Sequence, residues 1–194
     1  MKTTIATLIS IVMLGACSSD KQTEYNPQLP PITQTGTNTF GVVLNNTIFV
    51  PRSSNNDIYN ILYPKYNGVK FFIDDKSLSC LVNVESKNET YIFLYVNDDS
   101  NLKTKDYNVN GQGTDNISGR VTIEYVTYKD AIETNDYIVV PNSGIIKLTK
   151  NDTEIISGVF SCKLINKINP NDVLEVKDGR FDFNKATINT IKFP

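Results

Sequence analysis

The stretch EIISGVFSCKLIN (residues 154–166), then KINPN (167–171) and DVLEVKDGRFDF (172–183), decides the fold. In the first arm Phe160, Cys162 and Leu164 recur at every second position, the period that puts side chains on one face of a strand. In the second arm Leu174 and Val176 do the same. Lys167 to Asn171, with Pro170 inside, is a turn, so the two arms form an antiparallel hairpin. Strict alternation from Val176 would turn Phe181 and Phe183 away from the apolar face. One extra residue at Asp178-Gly179 restores the phase, which predicts a β-bulge there with Gly179 supplying the permissive backbone. Gly158 on the facing arm marks a place where another group comes close to the backbone.

The same period runs outward from this hairpin. Thr39–Leu44 and Thr47–Val50 flank Asn45-Asn46, a tight-hairpin signal, and Pro51 ends the second strand. Val69–Asp74, Ser79–Ser86 and Glu89–Val96 read as a meander with Lys76 in its first turn and Lys87-Asn88 in its second. Asn97–Asp106 is a polar loop, and further strands are expected at Arg120–Thr127, Tyr137–Val140 and Ile145–Lys150. Asp57–Leu62 is the one short helix expected: Ile58, Ile61 and Leu62 share a side, Asn56 caps and Pro64 stops it. Many short strands with evenly spaced turns predict an all-β domain, an antiparallel sandwich or barrel.

The N-terminus supplies an address. Lys2 precedes an apolar run, Ile5–Leu14, too short for the roughly 20 residues of a membrane span. Leu14-Gly15-Ala16-Cys17 closes it as a lipobox, so residues 1–16 read as a lipoprotein signal peptide and Cys17 as the acylated residue. Two or three acyl chains hold a protein stably at a bilayer, where one does so only marginally. Ser18 in place of Asp leans toward the outer membrane, facing the periplasm or the cell surface. Residues 18–38 (SSDKQTEYNPQLPPITQTGTN) are rich in Pro, Thr and Gln and read as a flexible tether, about 25 Å end to end as a coil. Residues 39–194 then form a single β domain.

Composition narrows the chemistry. The chain has no histidine and a formal charge of −2. That removes Ser-His-Asp and Cys-His catalysis, His-ligated zinc and the commonest neutral-pH base. The weak acidity with no basic block argues against nucleic acid as a partner. The absence of Trp takes away the usual carbohydrate platform but leaves the tyrosines. No cofactor or metal is expected. Cys80 shares a strand face with Leu78, Val82 and Val84, and Cys162 with Phe160 and Leu164, so both point inward. An oxidising envelope allows a disulfide, worth roughly 4 kcal/mol for a loop of this length. Two separate buried thiols are the alternative.

Several polar or aromatic groupings are candidates for more than packing. Asn97-Asp98-Asp99-Ser100-Asn101 gathers oxygen ligands at a hairpin tip but lacks the spacing and acid count of a calcium loop. Gly111-Gln112-Gly113 lacks the lysine and helix start of a phosphate loop. Asp74-Asp75, adjacent on a strand end, point to opposite faces and make a poor catalytic pair. Arg180 is placed to lock the bulge by pairing with Asp178 or Asp182. The dense aromatics Tyr59, Tyr63, Tyr66, Phe71 and Phe72 read mainly as core.

Ile156-Ser157-Gly158-Val159-Phe160 with Gly179-Arg180-Phe181-Asp182, and the early Thr39-Phe40-Gly41 and Ile48-Phe49-Val50-Pro51, resemble a pattern in uncharacterised all-β lipoproteins of Bacteroidetes. The resemblance covers most of residues 39–183 and implies an all-β envelope lipoprotein with no activity to carry over. The expectation is therefore a non-enzymatic binding or structural module, anchored in the membrane through Cys17, with an envelope protein or glycan as partner. A lipocalin-like carrier of small molecules is the alternative, and it would need a deep apolar cavity. A carboxylate-based hydrolase is a third reading, and it would need two acids converging in one cleft with shifted pKa values.

Overall fold

A computed structural model describes residues 26–53, 68–85, 89–111, 121–129 and 132–194. Eleven strands follow in chain order: β1 Thr39–Leu44, β2 Thr47–Phe49, β3 Val69–Ile73, β4 Ser77–Glu85, β5 Glu89–Asn97 and β6 Asp106–Asn108. Then come β7 Val121–Lys129, β8 Ile132–Val139, β9 Ile145–Asn151, β10 Ile155–Asn166 and β11 Val173–Asn184. A 3₁₀ turn at Ile188–Thr190 follows β11. The fold is all-β, as the alternation predicts, with the antiparallel sheet curled into a half-barrel. The expected helix at Asp57–Leu62, together with Cys17 and the signal peptide, lies outside the described residues.

The sheet runs β2-β1-β11-β10-β8-β7-β5-β4-β3. β10 is the trunk. One edge pairs with β11 throughout, while the other carries β9 along residues 156–161 and β8 along 164–166. β6 adds to β9, so the sheet forks at the middle of β10. Gly144, in the turn from β8 to β9, sits at that fork. A Cβ there would lie 1.9 Å from the Ser161 carbonyl oxygen, so only glycine allows the two strands to share one edge. β1 and β2 join through Asn45 and Asn46, both left-handed (φ 44° and 70°), the two-residue turn that twisted strands prefer.

The bulge is present, and its parts divide the work differently from the expectation. Phe160 faces Gly179, and Cys162 faces Val176, so β11 carries one residue more than β10 between these pairs. The left-handed residue is Asp178 (φ 51°), not Gly179. Gly179 serves instead as a seat: a Cβ there would lie 2.4 Å from the Phe160 ring. Gly158 does the same for Phe181, whose ring would lie 2.7 Å from an added Cβ. The phase change sends both Phe181 and Phe183 inward, where they stack on each other at 5.3 Å.

The rings meet across the curl. Phe183 of β11 packs edge-on against Phe71 of β3 at 5.4 Å, and Phe40 tilts over Phe160 at 5.7 Å. Such contacts add about 0.5–1.5 kcal/mol each beyond area burial. Cys80 and Cys162 are free thiols inside this core, so the two-thiol alternative is the one present. Burial pushes both thiols well above the usual cysteine range, which leaves them unreactive. The open edge of β3 is covered by a side chain. Asn189 accepts from the Phe71 N–H and donates to its carbonyl, both at 2.8 Å, in the manner of a further strand.

Residues 29–37, expected as part of the tether, belong to the folded unit. They form a strap across the outer face of β1, β11 and β10. Pro30 lies over Gly41, where a Cβ would come within 2.5 Å of it. The buried Asp182 carboxylate then gathers the strap. It accepts from Thr33 Oγ1 (2.6 Å), Thr35 N (3.1 Å), Gly36 N (2.9 Å), and Thr37 N and Oγ1 (3.3 and 3.0 Å). Ser157 Oγ donates to it from β10 at 2.7 Å. Arg180 leaves Asp182 to this task. Its Nη2 stands 3.7 Å from Asp178, its Nε donates to the Asp178 carbonyl, and its Nη1 donates to the Pro30 carbonyl of the strap.

Candidate functional site

Three turns meet at the open end of the β10–β11 hairpin. The β3–β4 turn supplies Asp74 and Asp75, the loop after β5 supplies Asn101 and Leu102, and the β9–β10 turn supplies Asp152 and Thr153. With Ile73, Asn151 and Lys185 they line a cleft of about 430 Å³.

Backbone bonds hold the walls together. Leu102 N donates to the Asp75 carbonyl at 2.7 Å, and Asp98 N to the Lys76 carbonyl at 2.8 Å, which fastens the loop to the β3–β4 turn. Asn151 Nδ2 donates to the Leu102 carbonyl at 3.0 Å, which fastens the same loop to the end of β9. Lys185, one residue past β11, donates to Asn151 Oδ1 at 2.8 Å and to the Asp152 carbonyl. Leu102, itself buried, and Ile73 are the apolar part of the lining.

Asp74 and Asp152 are held in their charged form by the turns they sit in. Asp74 Oδ1 accepts from Lys76 N (2.8 Å) and Ser77 N (2.6 Å), and Oδ2 from Ser77 Oγ (2.9 Å). Those bonds hold its carboxyl below the usual range. Asp152 Oδ1 accepts from Ile155 N and Glu154 N at 2.7 and 2.9 Å, and these bonds lower its pKa as well. Lys185 is pulled below the usual lysine range by burial, with the Asp152 charge opposing. A carboxylate hydrolase needs one acid kept protonated at working pH. The shifts of Asp74 and Asp152 run the other way. What the cleft does offer is a ring of carboxylate and amide acceptors beside an ammonium and a hydroxyl, over a small apolar floor.

The other residues singled out from sequence are placed as follows. Asp98 turns inward to its own loop: Oδ1 accepts from Ser100 N and Oγ at 3.0 and 2.9 Å, and Oδ2 pairs with Lys105. These bonds, Lys105 first, hold its carboxyl well below the usual range. Among the described residues no group of three or more His, Cys, Asp or Glu side chains is arranged to hold a metal ion. Asp74 and Asp75 do reach one cleft, because it lies beyond the strand end, where opposite faces no longer separate them. Of Gly111-Gln112-Gly113 only Gly111 is described, and Tyr59, Tyr63 and Tyr66 lie outside the described residues. Phe71 is core, while Phe72 is exposed on the other face under the Lys70 ammonium, 5.1 Å from its ring centre. Asn151, Asp152 and Lys185 carried no sequence signal; only the pairing of β9, β10 and β11 brings them together.

Comparison with protein-family models, curated proteins and solved structures finds no match to this chain.

Proposed function

We propose that this is a lipid-anchored protein of the bacterial cell envelope, acylated at Cys17, whose β domain is a non-enzymatic binding module. Its contact site is the cleft between Asp74, Asn101, Asp152 and Lys185, and its ligand is hydroxyl-rich, as an envelope glycan is. The observation that carries the binding reading is the lining of that cleft: fixed acceptors and donors with depressed carboxyl pKa values, suited to hydrogen bonding rather than proton transfer. The lipobox carries the anchor. The carrier alternative loses support because aromatic rings fill the interior where a lipocalin-like cavity would lie. The resemblance to Bacteroidetes lipoproteins agrees with this placement.

Fractionation of cells expressing the wild type and Cys17→Ala tests the anchor. The reading expects wild type in the membrane fraction with a lipid-modified N-terminal Cys17, and the variant released. A Cys17→Ala protein that stays membrane-bound overturns it. Protease treatment of intact and lysed cells then separates surface from periplasmic exposure.

A further inference from the structure

We propose that the tip of the β10–β11 hairpin is the surface with which this domain touches the lipid bilayer, with Ile168 its leading side chain. The proposal rests on the anchor reading above and adds an orientation to it.

The path of the strap sets the direction. Gly36 lies beside Asn184 and Ile155, at the open end of the hairpin. Six residues earlier in the chain, the Pro30 carbonyl is held by Arg180, four residues nearer the tip. Traced back toward Cys17, the strap therefore runs toward the β10–β11 turn as far as Pro30. Asp182 and Arg180 pin the strap from Pro30 onward, so the length left between Cys17 and the first pinned residue is residues 17–29. Thirteen residues span about 45 Å when fully extended. A tether of that length, starting from Pro30 on the tip-ward side of the strap, lets the hairpin tip reach the membrane.

That end exposes apolar groups among the polar Lys167, Asn169 and Asn171. Ile168 is 91% exposed, and Val173, directly opposite Ile165 in the hairpin, is 42% exposed. Pro170 between them is exposed too. A lone exposed isoleucine is ordinary. Here the turn is rigid: Asn166 Oδ1 accepts from Ile168 N and Asn169 N at 2.9 and 3.1 Å, and Asp172 N donates to the Asn169 carbonyl at 2.9 Å. Tyr137 braces the base by donating to Asp172 Oδ2 at 2.6 Å. Lys167 is held back by Asp136, so the residue at the apex is the isoleucine and not the cation. Insertion of such a tip at the lipid interface relies on apolar area and tolerates salt. The cleft lies at the opposite end of the hairpin, about 40 Å away at the rise of a strand. A bilayer contact at Ile168 leaves it facing away from the membrane.

The test uses the acylated full-length protein reconstituted in phosphatidylethanolamine/phosphatidylglycerol vesicles. An environment-sensitive fluorophore is placed at Ile168→Cys or, as control, at Thr153→Cys beside the cleft. Cys80 and Cys162 are buried and do not compete for label. The proposal expects blue-shifted emission and several-fold stronger quenching by lipid-borne quenchers at 168 than at 153, unchanged by high salt. Equal quenching at the two sites, in protein that floats with the vesicles, overturns the bilayer contact and leaves the anchor standing. Protein that does not float overturns the anchor and the contact together.

Discussion

Thr33 and Asp182 stand 149 positions apart in the chain, and the threonine hydroxyl donates to the aspartate carboxylate across 2.6 Å. Around this bond the strap becomes part of the domain. The carboxylate is buried, which by itself favours protonation. Hydrogen bonds from Thr33, Ser157, Gly36 and Thr35 outweigh that burial and hold Asp182 well below the usual carboxylate range.

Asp182→Asn replaces one accepting oxygen by an NH₂ group that faces donors. Bonds to a charged acceptor contribute about 1.5–3 kcal/mol each, and leaving donors unpaired adds to the loss. The variant is expected to be about 2–4 kcal/mol less stable at neutral pH, a fall in Tm of roughly 5–15 °C. Limited proteolysis should cut it within residues 29–37, where the wild type resists.

The pH dependence follows from the direction of the shift. A carboxyl lowered in the folded state stabilises above its unfolded pKa, about 4, and that contribution is lost as pH falls below it. The stability gap between wild type and Asp182→Asn should therefore be full at pH 6–8 and narrow steadily below about pH 4. Denaturant midpoints across that range measure it. A gap independent of pH contradicts the charged-clamp account.

At the bulge, Gly179 and Asp178 have opposite tolerances. Gly179→Ala drives a methyl into the Phe160 ring and should cost about 1–3 kcal/mol. Phe160→Leu should restore part of that loss in the double variant. Asp178→Gly should be within about 1 kcal/mol of wild type, since glycine accepts a φ of 51° and the exposed pair with Arg180 is weak. Asp178→Val should cost more than Asp178→Gly by about 1–2 kcal/mol. Thermal melts of the four variants check the order.

The thiols give a direct chemical check. In the Cys17→Ala protein, a thiol reagent should find no reactive cysteine under native conditions and both Cys80 and Cys162 after unfolding. Reductant should leave the Tm unchanged.

Where the structure was legible in the sequence, the signal was local. Alternation located ten of the eleven strands among the described residues, β8 only by its last three residues, and missed the three-residue β6, while the conflict of phase between Val176 and Phe181 exposed the bulge. The strap escaped because Pro, Thr and Gln carry no period and bury little; its partners Asp182 and Arg180 sit at the far end of the chain. Asn189, which covers the β3 edge, escaped for the same reason. The cleft was illegible because sheet register, and no motif, gathers its three turns. Asp74-Asp75 looked unfit as a pair by strand parity, and that rule lapses where the strand ends.

The central claim is that the Asp74–Asp152–Lys185 cleft is where the domain binds. The measurement that meets it most directly is an NMR titration of the Cys17→Ala protein with soluble fragments of envelope glycans. The account predicts saturable amide shifts at Asn101, Asn151 and Thr153 that vanish in Lys185→Ala, whose fold the spectrum itself verifies. Shifts confined to another surface, or shifts at the cleft that survive Lys185→Ala together with Asp152→Asn, contradict it, as does an unresponsive cleft across the glycan panel.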